Sequence, residues 1–204
     1  VIGLHYSDTK ASEIGLFDNI EDDVVIKNLV LVSPQFEGDS YAGALAGYVD
    51  ASSGAGATFD NITVKNPVVV GRQNIGALFG EVDASSVKNI VISNAAVVGS
   101  RYAGLLAGVS YGGMNASNLR VDGILSASFT SGGLVGDFEQ GSIKNAAVLA
   151  NITVDQNTAQ TSTFGDDQNQ IGGGFGYVEA STIENFYFLG NITITADYSY
   201  GVAG

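Results

Sequence analysis

One short pattern dominates the chain: two glycines bracketing three small or apolar residues, as in Gly43-Ala44-Leu45-Ala46-Gly47 and Gly76-Ala77-Leu78-Phe79-Gly80. It returns at 104–108, 132–136 and 172–176, and in degenerate form at Gly15-Leu16-Phe17-Asp18 and Gly201-Val202-Ala203-Gly204. The last position of each copy falls at 18, 47, 80, 108, 136, 176 and 204, so the steps are 29, 33, 28, 28, 40 and 28 residues. A period of 28 with loop insertions near 51–55 and 156–169 accounts for every step. A unit this short cannot bury an apolar face alone, and successive copies form a core by stacking.

A second column keeps the same period. Asn28, Asn61, Asn89, Asn118, Asn145 and Asn185 each open an alternating apolar stretch. A third column follows at Ser33, Asn66, Asn94, Gly123, Asn151 and Asn191, again before a short apolar run. Each unit therefore reads as three short strands, parted by residues that tolerate left-handed backbone. An antiparallel sandwich also spaces its strands regularly, but it does not need the same Asn six times. In a stacked coil equivalent residues lie about 4.8 Å apart, and an Asn amide at a corner or inside can hydrogen-bond to the next one. The expected fold is all-β, a parallel β-solenoid of six to seven coils, forming one domain over residues 1–204. It reads as three-sided, and right-handed by the crossover rule for parallel strands.

The columns also say which side chains point inward. One residue after the Asn stand Leu29, Ile62, Ile90, Leu119, Ala146 and Phe186; three after it stand Leu31, Val64, Ile92, Val121, Val148 and Phe188. Both sets are apolar and read as core. The position between them is mixed and reads as surface. In the third strand the outward column reads Gln35, Val68, Ala96, Leu125, Thr153 and Thr193, with too few Thr for an ice-binding array. The motif poses a harder question at Phe17, Ala46, Phe79, Ala107, Val135, Phe175 and Ala203. Strict alternation would send them outward as an apolar stripe; a bend at the glycines would turn them inward with the motif Leu. We expect the bend, because Gly174 beside Phe175 looks like one side chain taking another's space.

Composition narrows the function classes. With 45 % hydrophobic and 14 % charged residues, the chain is neither a disordered acidic tail nor a helical bundle. A net charge of −13 disfavours nucleic acid and anionic membranes, and leaves a cation or a neutral glycan as the fitting partner. There is no Cys, and no apolar run approaches the ~18 residues of a membrane span. The chain opens at Val1 without a basic, apolar leader and reads as a mature chain or an excised piece. Both ends cut a coil part-way. This suits a segment of a longer chain, or a subunit whose ends associate with copies of itself.

The copies with a Lys-Asn strand behind them carry a resemblance. Gly133-Leu134-Val135-Gly136 followed by Ile143-Lys144-Asn145, and Leu78-Phe79-Gly80 followed by Val87-Lys88-Asn89, resemble the GLUG-motif repeats of bacterial proteins. The resemblance spans nearly the whole chain, departing at Asp18, where Gly is expected, and at Gly174, where Leu is expected. It implies a solenoid region of a large bacterial extracellular or cell-surface protein, adhesin-like, with no catalytic residues to carry over.

The residues themselves offer little chemistry. His5 is the only His, so neither a Ser-His triad nor a His-based zinc site can be assembled. Glu81, Asp83, Asp122, Asp137, Glu139 and Glu179 read as scattered over different corners, without the convergence a carbohydrate-active β-helix needs. Catalytic residues are therefore expected to be none. No cofactor is expected, and calcium at Asp22 and Asp23 or at Asp166 and Asp167 is the one ion to consider, against solvated acidic turns. A ligand-binding edge is expected where the 156–169 loop stacks beside Tyr41, Arg72, Arg101, Tyr102 and Tyr198, with Asp166 and Asp167. The function read from all this is a non-enzymatic extracellular structural or adhesive segment that gives length and presents loops to a glycan or cell-surface ligand. The alternatives are a carbohydrate-active β-helix and a subunit of an end-to-end filament.

Overall fold

The computed structural model describes residues 1–51, 56–155 and 170–195. The insertions at 51–55 and 156–169 and the last motif copy thus fall wholly or largely outside the described residues. Strands fill most of the described chain, and every strand pairing is parallel. Each strand pairs with its equivalent one repeat away, and the result is a parallel β-solenoid. A six-stranded sheet stacks Phe17–Ile20, Ala46–Val49, Phe79–Val82, Ala107–Ser110, Val135–Glu139 and Phe175–Glu179. Among the described residues six copies in one stack make about five turns, against the six to seven coils expected over the whole chain.

The rest of each coil belongs to a fourteen-stranded sheet. Here the register of the Asn-led strands is the one read from the columns. Leu29 pairs with Ile62, Ile62 with Ile90, Ile90 with Leu119, Leu119 with Ala146 and Ala146 with Phe186. Ile62, Ile90 and Ile92 are fully buried, while Val30, Val91 and Tyr187 between the core columns are exposed. The chain can turn sharply before these residues because Asn28, Asn61, Asn89, Asn118, Asn145 and Asn185 all take left-handed backbone, with φ between 53° and 58°. Asn adopts that region at lower cost than most residues.

A coil contains more than three strand segments. A short fourth segment precedes each motif, as at Ser40–Ala42, Ser131–Gly132 and Ile171–Gly172. In the middle coils it is fused to the third strand, inside Val68–Gly76 and Ser86–Gly104. The chain then bends at the two residues between motif Gly and closing strand, such as Ala44 and Leu45 or Ala77 and Leu78. The bend settles the fate of the motif side chains in the inner coils: Leu78 and Phe79 are both fully buried, as are Leu134 and Val135, whereas Phe17 in the first coil is 42 % exposed. Phe79 packs on Phe59 with ring centroids 4.8 Å apart. At Gly174 the missing side chain makes room for the Phe186 ring, which lies 2.6 Å from where a Cβ would sit.

The third strand departs from the expected register. Ser93 and Asn94 make the turn in one coil, but Asp122 alone makes it in the next, so Ala95 pairs with Gly123 and Gly123 with Ala150. Ile124, not Leu125, then shares a column with Ala96 and Asn151. Leu125 is buried and Ile124 is 58 % exposed, which corrects the outward column drawn from the sequence. Gly123 permits the tightened turn, since a Cβ there would meet the Ala95 carbonyl oxygen at 2.5 Å.

Candidate functional site

The six-stranded sheet places unusual residues where a solenoid would carry ordinary surface. Its strands put Asn19, Tyr48, Glu81, Val109, Asp137 and Tyr177 in one register column. Two residues further on, Glu139 pairs with Glu179, and Asp83 and Tyr111 follow the equivalent strands of their coils. Against these lies a column from the fourth segments: Glu13, Tyr41, Asn74 and Tyr102, all with left-handed backbone at φ between 51° and 59°. None of the four is Gly, so the strained turn is held by its surroundings.

The two sides are joined into one band by hydrogen bonds and ring contacts. Asn74 Nδ2 donates to Glu81 Oε2 at 2.6 Å. The Tyr111 amide donates to Asp83 Oδ1 at 3.1 Å, and the hydroxyls of Tyr48 and Tyr111 reach Asp83 and Asp137, each at 3.4 Å. Tyr41 and Tyr48 stack at a tilt with centroids 5.8 Å apart. The Arg101 guanidinium sits 4.5 Å over the Tyr102 ring and donates to its hydroxyl at 2.8 Å. Tyr177 closes the series, donating to Glu179 at 2.6 Å.

Burial dominates the electrostatics of this band. Glu81 and Asp83 are each 8 % exposed and Asp137 is 6 % exposed. Desolvation pushes Glu81 up to about 7, with the neighbouring Asp83 charge adding to it. Desolvation also lifts Asp83 to about 6, against hydrogen bonds from Tyr111 and Tyr48. Asp137 rises to about 6 for the same reason, reinforced by Glu139. Tyr48 and Tyr111 are raised by burial and by the carboxylates beside them. The band therefore takes up protons between about pH 6 and 7, and near neutrality Glu81 is the carboxyl that both donates and accepts hydrogen bonds. Asn74 Oδ1 and Asp137 Oδ1 are buried without a donor.

This arrangement corrects one expectation. The acids are not scattered: Glu81, Asp83, Asp137, Glu139 and Glu179 share one face, and only Asp122 lies elsewhere, accepting from the Asn94 amide at 2.7 Å. Counting from the closing Gly would have found them. One residue after it come Tyr48, Glu81, Val109, Asp137 and Tyr177; three after it come Asp50, Asp83, Tyr111, Glu139 and Glu179. Of the edge drawn from the sequence, Tyr41, Arg101 and Tyr102 join the band. Arg72 instead makes a bidentate pair with Asp39 at 2.8 and 2.9 Å. Asp166, Asp167 and Tyr198 lie outside the described residues. Among the described residues no three acidic or imidazole side chains converge to hold a metal ion, Asp22 and Asp23 included.

The six Asn corners lie on the exterior. Asn61 donates to Asn28 at 2.7 Å, Asn118 to Asn89 at 3.0 Å, Asn145 to Asn118 at 3.2 Å and Asn185 to Asn145 at 2.9 Å. Asn89 turns instead to Asp60 at 2.7 Å. This ladder holds the coil edge and is separate from the acidic band. No protein-family model, no curated protein and no solved structure matches the chain.

Proposed function

We propose that this chain is a non-enzymatic extracellular segment of a bacterial surface protein of the GLUG-repeat kind, giving length and presenting a binding face. The observation that carries the reading is the band itself. Tyr or acidic residues hold four of the six places in one register column, and Tyr111 stands two residues beyond the Val109 that interrupts it, so the stack that supplies length also extends one recognition surface along it. Rigid scaffolds with repeated side chains on one face are suited to extended ligands. The test is retention of beads coated with the purified chain on surfaces bearing cells or polysaccharide. Retention above that of beads coated with an unrelated acidic protein supports adhesion, and equal retention rejects it.

A carbohydrate-active enzyme is the second reading, and one observation favours it. Glu81 and Asp137 occupy the same column with only Val109 between them. Two coil steps separate them by about 10 Å at the backbone, near the spacing of acid and base in inverting glycosidases. Release of reducing ends from a polysaccharide, lost in Glu81→Gln, would promote this reading over the first.

A further inference from the structure

We propose that the tyrosine and carboxylate band is a binding site for an uncharged, polyhydroxylated chain, a neutral glycan lying across successive coils. The inference deepens the adhesive reading, on which it rests for its biological setting, by naming the ligand class and the face.

Three independent features point to such a ligand. First, the aromatic residues are placed as platforms. Tyr41, Tyr48, Tyr102, Tyr111 and Tyr177 are all half-buried, and each is held by a hydrogen bond or a ring contact. They recur over the coils whose strands run from Ala46–Val49 to Phe175–Glu179. An apolar ring with a polar tip suits a pyranose, whose C–H face is apolar and whose rim is hydroxylated. Second, two buried acceptors in the wall have no donor. Asn74 is 4 % exposed with Oδ1 unpartnered, and Asp137 is 6 % exposed with Oδ1 unpartnered. A buried acceptor left unpaired is costly, and either side chain gains by turning its oxygen toward a donor such as a sugar hydroxyl. Third, the charge is the wrong kind for a salt-bridging partner. Glu81, Asp83 and Asp137 are desolvated, which favours their protonated forms, so near neutrality Glu81 in particular can both donate and accept hydrogen bonds. A strongly cationic peptide would have to reach carboxyls that are more than nine-tenths buried, and a polyanion would meet Glu139 and Glu179 side by side.

The experiment is calorimetric titration of the whole chain with neutral hexasaccharides of β-linked glucose, mannose and xylose, a hexauronate, and poly-lysine. The expected result is binding of at least one neutral hexasaccharide and none of the hexauronate. The double variant Tyr48→Ala/Tyr111→Ala should weaken it at least about tenfold. Tyr48→Phe/Tyr111→Phe keeps the rings and should keep most of the affinity, which separates stacking from a folding defect. Arg120→Ala, exposed on the Asn-led strands away from the band, should leave binding unchanged. No binding of any neutral hexasaccharide, binding of poly-lysine alone, or full affinity in the alanine pair would each overturn the proposal. The outcome is distinguishable from that of the adhesive reading. Bead retention without hexasaccharide binding removes this site and leaves adhesion standing; hexasaccharide binding without retention does the reverse.

Discussion

At the scale of the residue, two kinds of strained position are used differently. The corner Asn residues accept left-handed backbone and gain a ladder bond, and the two contributions can be separated. Asn118→Gly keeps the backbone and loses the amide bonds to Asn89 and Asn145. Asn118→Ala loses both, and should be less stable than the Gly variant by about 1 kcal/mol in a denaturation experiment. Glu81 is the other kind. Its carboxyl goes from an ordinary 4.5 to about 7, so ionising it in the folded chain costs on the order of 3 kcal/mol. The folded state holds the proton more tightly than the unfolded state, so this cost is absent below about pH 4 and complete above about pH 7. Asp83 and Asp137 act in the same direction. The melting temperature should therefore fall as pH rises from 5 to 8. Glu81→Gln should flatten that slope and stabilise the chain at pH 8, since the amide oxygen can still accept from Asn74; an unchanged slope would refute the assignment.

At the scale of the element, the bend at the motif is what makes the repeat work. It lets two consecutive residues, such as Leu78 and Phe79, both enter the core, which a plain strand cannot do. The closing Gly then lies directly against backbone. A Cβ on Gly108 would sit 2.4 Å from the Ile75 nitrogen, 2.5 Å from the Asn74 carbonyl carbon and 2.6 Å from the Tyr102 oxygen. Backbone cannot rotate away as a side chain can. Gly108→Ala should cost about 3 kcal/mol or more, lowering the melting temperature by roughly 10 °C. Phe79→Ala acts by the opposite mechanism, leaving a cavity beside Phe59, and should cost about 3–5 kcal/mol. Because Asn74 and Tyr102 belong to the band, Gly108→Ala also tests whether the glycine column supports the binding face. Calorimetry on whatever fraction stays folded should show weaker hexasaccharide binding.

At the scale of the whole molecule, each coil meets mainly its neighbours, so stability is a sum of similar interfaces. Ala107 pairs with Val135 one repeat away, so removing residues 107–134 joins Leu106 to Val135 in register. That deletion should leave a folded solenoid shorter by about 4.8 Å, measurable by small-angle scattering. It also removes Tyr111 from the band, so the shortened chain should bind a neutral hexasaccharide more weakly while keeping its β-rich circular dichroism. Collapse of the dichroism signal would show that the coils are not interchangeable.

The fold was legible because a solenoid writes its periodicity directly into the chain. The Asn corners and core columns such as Ile62, Ile90 and Leu119 follow from counting alone, since stacked residues must be alike to share one backbone path. The register slip at Gly123 was not legible, because a turn of one residue and a turn of two look alike until pairing chooses between them. The band was legible only in part: its acids and tyrosines stand one and three residues after each closing Gly, but they vary from coil to coil and the columns do not show what faces them. Only the tertiary structure folds the segment carrying Tyr41, Asn74 and Tyr102 against the closing strands. That approach removes water from Glu81, Asp83 and Asp137, and desolvation is a property of surroundings that no residue carries in its own sequence.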